Sequence, residues 1–201
     1  FLLGALRTGE LVAGGRDQLL KYDGKSWTLM REGLDRVRHL TTARDGTQWL
    51  ASASGVYRLK DGNWISHQLE EGLPSVIAYN VFQDSKGRLW AGTSRGLALY
   101  HPEADTDTPR TILDPAANLR EVSPAGEVRL TFSAIDKWSQ THPDRLLFSY
   151  RLDGGSWTPF QDSDLATYHR LPAGTHRFEV RSMDRNGNID PAGQALEFAV
   201  L

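Results

Sequence analysis

The segment GTQWLASASGVYRL, Gly46 to Leu59, returns as GRLWAGTSRGLALY, Gly87 to Tyr100, and a degenerate copy, GELVAGGRDQLLKY, begins at Gly9. Gly46 and Gly87 stand 41 residues apart, as do Trp49 and Trp90, and Gly55 and Gly96. The step from Gly9 to Gly46 is 37, equal to that from Trp27 to Trp64. A period near forty, with a Trp and paired glycines in the copies, is the pattern of β-propeller blades. Such a repeat builds a scaffold that presents loops, so chemistry inside it needs strong independent evidence.

Each copy parses as four short strands. In the second they are 37–43, 48–53, 56–60 and 64–69, with Asp45-Gly46 and Asp61-Gly62 as turns. Asp-Gly between apolar runs marks a hairpin, because Gly adopts positive φ without penalty. The third copy starts at Val76, turns at Asp84-Ser85-Lys86-Gly87 and shows no obvious fourth strand. Residues 1–100 are thus expected to form about three blades. Their first strand, in FLLGALRTGE, aligns with VRHLTTARDG of the next copy. A closed ring takes about four to eight blades, so further blades are expected upstream.

Composition changes at 101–111, which is polar, acidic and rich in proline, and reads as a linker. Over 112–201 the period is two. Val128, Leu130, Phe132 and Ala134 alternate with polar residues, as do Phe148, Tyr150 and Leu152. His176, Phe178 and Val180, and then Leu196, Phe198 and Val200, repeat the rule. Half-buried strands require this alternation. Turn clusters at Asp153-Gly154-Gly155, Pro172-Ala173-Gly174 and Asn186-Gly187-Asn188 have the spacing of an immunoglobulin- or fibronectin III-like β-sandwich. The expected fold is all-β.

Charge and composition exclude several functions. Lys plus Arg number 23 against 25 Asp plus Glu, without long blocks, so no basic nucleic-acid surface is expected. The chain has no Cys, which removes disulfides and thiolate metal ligands. No apolar run approaches the length of a membrane span. The histidines (His39, His67, His101, His142, His169, His176) lack ligand spacing, and no metal or cofactor site is expected.

Two motifs mimic chemistry. Gly92-Thr93-Ser94-Arg95-Gly96 fits the G-x-S-x-G nucleophile elbow, but that motif needs a helix after the Ser. Here Leu97-Ala98-Leu99-Tyr100 reads as a strand, and Ser94 aligns with Ala53 in the previous copy. It is expected in a hairpin turn. Asp184 to Asp190 alternates oxygen side chains as a calcium loop does, yet Ile189 occupies the sixth position and no distal Glu follows. Asn186-Gly187 makes a hairpin turn the simpler reading. Trp49 and Trp90 recur at the repeat and are expected between blades; Trp27 and Trp64 are expected on outer strands.

The whole pattern resembles the sensor region of bacterial two-component regulators. Asp84 to Leu97 fits the two-component regulator propeller repeat D-x-x-G-x-L-W-x-G-T-x-x-G-L nearly residue for residue, and Gly72-Leu73-Pro74-Ser75 is its inter-blade turn. The second half is similar to the triple-tyrosine domain that follows such propellers. It supplies Phe148-Ser149-Tyr150-Arg151-Leu152-Asp153-Gly154, then Trp157, then Tyr168, Leu171-Pro172-Ala173-Gly174, Phe178 and Val180-Arg181. His176 stands where the third tyrosine is expected, at a position like the tyrosine corner of sandwich domains, and is read as a structural corner residue.

The resemblance implies a non-catalytic, ligand-sensing segment on the periplasmic or extracellular side of a membrane-anchored receptor. The propeller would recognise a ligand, with carbohydrate among the candidates. The sandwich would couple recognition to a membrane-proximal output, in a receptor dimer joined to the membrane through segments outside this chain. No catalytic residue is assigned. Ligands of propellers bind at the mouth of the channel, which singles out Arg38 and His39 on one inner strand, Tyr79 and Asn80 on the next, and the loop at Pro74-Ser75. Two alternatives are an adhesion module and an accessory part of a propeller carbohydrate-active enzyme. The expected inner strands contain no Asp or Glu, which counts against the latter.

Overall fold

The computed structural model describes residues 2–6, 8–119, 122–123 and 125–201. Phe1 and Arg7, at the ends of the first expected inner strand, lie outside them. The chain divides into two compact units, Phe1–Pro102 and Glu103–Leu201. Both are all-β.

The first unit contains three consecutive antiparallel sheets of meander order. The first is β1 (Leu2–Ala5), β2 (Leu11–Gly14), β3 (Leu19–Tyr22) and β4 (Trp27–Arg31). The second is β5 (His39–Thr42), β6 (Gln48–Ser52), β7 (Gly55–Lys60) and β8 (Asn63–His67). The third has β9 (Ala78–Gln83), β10 (Leu89–Thr93) and β11 (Gly96–Leu99), without a fourth strand among the described residues. First strands adjoin from sheet to sheet, with β5 between β1 and β9. These are propeller blades with their inner strands side by side.

Local chemistry accounts for the turns. Asp61 and Gly62 both have positive φ (51° and 78°), the geometry of a two-residue I′ hairpin between paired Lys60 and Asn63. In the third blade Asp84 organises the turn before β10. Its Oδ1 accepts from the Lys86 and Arg88 amides, both at 2.9 Å, and its Oδ2 from Arg88 Nε (2.7 Å) and Trp90 Nε1 (3.1 Å). Burial opposes its ionisation, but the bonds from Trp90 and Arg88 prevail and hold the carboxyl well below the usual range. The Asp and Trp of the repeat are thus directly bonded in this copy.

Two apolar clusters weld neighbouring blades. Leu6, Val12, Leu19, Leu34, Val37, Leu50 and Tyr57 join the first and second. Trp49, Ala51, Val56, Ala78, Val81 and Ala91 join the second and third. Trp49 is buried, as its place in the repeat requires, whereas Trp27 on β4 is exposed.

The second unit is a sandwich. One side holds two short pairs: β12 (Arg110–Ile112) with β14 (Ser133–Ile135), and β13 (Val128–Thr131) with β16 (Leu165–Tyr168). The other holds β15 (Leu147–Leu152), β17 (Gly174–Met183) and β18 (Gln194–Val200), with β17 central. The alternating run expected over 128–134 is two strands rather than one. Val128, Leu130, Phe132 and Ala134 all point into the core, but the pairing partner changes at Phe132, whose amide donates to Asp164 O at 3.0 Å. The polar segment before β12 is bound to this unit: Asp105 O accepts from Asn186 Nδ2 (3.4 Å) and Asn188 Nδ2 (3.1 Å). The Thr111 amide donates to Asp190 Oδ2 at 2.8 Å.

Candidate functional site

Strand β5 carries His39, with Arg38 immediately before it, and β9 carries Tyr79 and Asn80. Along β10 the register passes from Gly92 opposite Asn80 to Thr93 opposite Ala78, leaving Tyr79 as the extra residue of a β-bulge. A bulge breaks alternation and re-aims a side chain. Tyr79 and Asn80 are accordingly both exposed, and Tyr79 retains 49% of its surface. The Arg38 guanidinium lies over the Tyr79 ring, 4.8 Å from its centroid. Among the described residues this guanidinium, half-buried beside an exposed aromatic face, has no ion pair.

The other candidates are held in the scaffold. His39 Nδ1 accepts from the Val81 amide at 3.3 Å, tying β5 to β9. Asn80 packs over Gly92, where an added Cβ would stand 2.4 Å from Asn80 Oδ1. Ser75 accepts from the Ile77 amide at 3.1 Å and shares a 2.8 Å hydroxyl bond with Ser94. Ser94 lies in the hairpin between β10 and β11, with a strand on each side. Of the sequence candidates, then, the structure brings Arg38 and Tyr79 together and places His39, Asn80 and Ser75 in supporting contacts. The bulge that exposes Tyr79 has no local signal such as Gly or Pro, and sequence reading missed it.

In the sandwich, His176 is buried on β17. Nε2 lies 2.9 Å from Pro172 O and Nδ1 lies 2.8 Å from Asp153 Oδ2. Both partners accept, so both ring nitrogens donate and the imidazolium is favoured. The Pro172 carbonyl, then the Asp153 carboxylate, hold its pKa above the ordinary 6.5. A raised folded pKa gives stability that is complete below the unfolded value and is lost as pH rises through the folded one. The sandwich should therefore lose stability as pH rises above the ordinary histidine range, and His176→Tyr should flatten that slope while retaining a corner bond to Pro172. Thermal melts across this range check it; equal slopes in the two proteins would exclude the assignment.

A further cluster was not legible in sequence. Asp105, Asp136 and Asp184 are 5%, 2% and 0% exposed. One carboxylate oxygen from each lies within 4.8 Å of the other two. Asp184 closes the Asn-Gly turn after β17, accepting from the Gly187 amide (2.6 Å), the Asn188 amide (2.8 Å) and Asn188 Nδ2 (2.7 Å). Burial pushes up both Asp136 and Asp184.

Residues 139–201 match the Y_Y_Y domain, and residues 72–95 match the two component regulator propeller. The chain carries two-component regulator propeller sequence followed by a Y_Y_Y domain. Its fold is similar to the extracellular domain of BT3049 from B. thetaiotaomicron, named as a hybrid two component system, with a TM-score of 0.51 and 13% identity over 98% of this chain. The chain spans 31% of that structure's length. The extracellular domain of BT4673 from the same organism, named as a one component system, aligns over 100% of this chain and 31% of its own, at 15% identity and TM-score 0.41. Fibronectin(III)-like modules of Clostridium thermocellum CbhA align over 95% of this chain and 83% of theirs, at 11% identity and TM-score 0.37. Among curated proteins, none matches the sequence. Within the Y_Y_Y domain, Tyr150 and Tyr168 pack on Phe178, with ring centroids at 5.8 and 6.3 Å, and His176 takes the third position against Phe198.

Proposed function

We propose that this chain is the non-catalytic sensing segment of an extracytoplasmic signal receptor. The blades recognise a ligand and the Y_Y_Y sandwich passes the event to a membrane-proximal output. The observation that carries this reading is the order of parts in one chain, a regulator propeller repeat followed by a Y_Y_Y domain. No helix among the described residues is long and apolar enough to cross a membrane, so on this reading the anchor lies in other segments of the receptor.

Recognition is assigned to the Arg38–Tyr79 pair. An exposed ring stacks on the apolar face of a sugar, while an adjacent guanidinium donates to hydroxyl or carboxylate oxygens. A ligand drives signalling only by the difference in its affinity for two receptor arrangements, and a sandwich within a receptor dimer is suited to relaying a rigid-body change. Titrating a soluble glycan panel into the complete receptor ectodomain by calorimetry tests the reading. Against any glycan that binds, Arg38→Ala and Tyr79→Ala should each weaken affinity about tenfold, the scale of a desolvated cation–π contact. Unchanged affinity in both, with intact circular dichroism, would remove the pair from the site. Failure of the whole panel to bind would count against carbohydrate sensing.

A further inference from the structure

Arg177, Glu179 and Arg181 alternate along β17 with the core residues Phe178 and Val180, and so stand on the face of the sheet turned away from the core. Arg151 on β15 lies opposite Glu179 in the register. Trp157, between β15 and β16, stacks on two of these guanidiniums. Arg181 Cζ is 4.3 Å from its ring centroid and Arg151 Cζ 4.6 Å, and Arg181 Cζ is also 5.3 Å from the centroid of Phe160. Beside them opens a cleft of about 350 Å³, lined by Arg151, Trp157, Arg177, Glu179, Arg181 and Asp190 and walled by the turn before β18.

Among the described residues, one charge in this cleft is left unmet. Glu179 spends both oxygens on Arg151, accepting from Nε at 2.8 Å and Nη2 at 3.0 Å. Asp190 accepts from the Thr111 amide (2.8 Å) and the Ala192 amide (3.0 Å). Arg177 Nη1 pairs with Glu197 at 3.2 Å. The Arg181 guanidinium has neither an ion pair nor a hydrogen bond to any described residue, and its Nε is fully buried without an acceptor. A guanidinium carries five donors and stays charged, and the ring faces on which it stacks take up none of the donors in its plane. Burial, then the neighbouring charge of Arg151, lowers its pKa, as expected of a cation held without a counter-charge.

We propose that this cleft binds the carboxylate of a small organic anion, held by the fork of the Arg181 guanidinium. The fork matches a planar carboxylate, to which two nitrogens donate in parallel. Arg151, Arg177 and Arg181 against Glu179 and Asp190 leave the lining one positive charge in excess. A single carboxylate balances it, whereas a dianion such as sulfate would meet the repulsion of both acids. The volume is that of a small-molecule pocket, too small for an extended chain. The wall is firm: a Cβ on Gly193 would stand 2.6 Å from Val180 O, so the turn packs directly on β17. The stacked rings hold the guanidinium in place before the ligand arrives, which lowers the ordering cost of binding. This site does not rest on ligand recognition by the blades.

The test uses the whole chain, labelled with nitrogen-15 and dialysed into a chloride buffer. Sodium acetate, titrated at constant ionic strength, should shift the Arg181 Nε–H resonance and the amides of 192–194 along one saturable curve. Arg181→Met keeps an unbranched stem against Trp157 and should weaken the response of those amides about tenfold or more. Glu179→Gln, which releases Arg151, decides the matter should Arg181→Met fail to fold: it should tighten acetate and bring sulfate ahead of it. No saturable shift up to roughly 100 mM acetate would overturn the proposal, as would an undiminished response in Arg181→Met or an unchanged one in Glu179→Gln. Sulfate binding the wild-type chain more tightly than acetate would overturn the choice of a carboxylate. A polyglutamate peptide that outcompetes acetate at equal carboxylate concentration would place the group on a protein partner and overturn the small-ligand assignment.

Discussion

Phe178→Ala is expected to cost the sandwich about 3–5 kcal/mol of unfolding free energy. Phe178 lies on the central strand β17 and is 0% exposed. Its ring meets Phe132 at 5.9 Å, Tyr150 at 5.8 Å and Tyr168 at 6.3 Å. Truncation removes the residue on which both family tyrosines lean, and the rigid strands around it cannot close the cavity. Burial, then Tyr150, pushes the Tyr168 hydroxyl up to about 12. Urea denaturation followed by near-ultraviolet circular dichroism measures the loss. Phe82→Ala, at an exposed ring of β9, is the control and should stay within about 0.5 kcal/mol of wild type. A loss at Phe178 no larger than this control would contradict the packing described.

Trp49→Ala should cost the blades a similar amount, about 3–5 kcal/mol. Trp49 is 3% exposed, stacks on His67 at 5.7 Å, and meets Tyr100 edge-on at 5.0 Å. The Arg58 guanidinium lies 5.8 Å from its ring and donates to the Tyr100 hydroxyl at 2.8 Å. Removing the indole dismantles the joint between the second and third blades. Trp49→Phe should cost much less, because the buried Trp49 Nε1 has no hydrogen-bond acceptor among the described residues and phenylalanine removes that unmet donor. Tryptophan fluorescence during urea unfolding separates the two variants; equal losses would show that shape rather than polarity sets the cost.

These two tryptophans show where sequence reading stops. Trp49 and Trp90 occupy the same place in the repeat, yet Trp90 Nε1 donates to Asp84 while Trp49 Nε1 is unbonded. In the second copy Asp45 is engaged by the Thr47 amide and hydroxyl, at 3.0 and 2.9 Å. Asp45 stands four residues before Trp49 and Asp84 six before Trp90, so the longer turn of the third copy decides which donors its Asp meets. Likewise Arg38 and Tyr79 were both legible as inner-strand residues, but their stacking rests on a bulge that alternation alone cannot reveal.

The sequence alone determined the blade period, the Asp-Gly turns, the inward faces of the sandwich strands and the segments that match a propeller repeat and a Y_Y_Y domain. All of these are written in spacing within one strand or hairpin, where burial and positive φ act locally. Tertiary structure decided the change of partner at Phe132, the attachment of Asp105 to the sandwich, and the meeting of Asp105, Asp136 and Asp184. Those carboxylates belong to three separate loops, and no periodicity records which loops the packed core brings to one place.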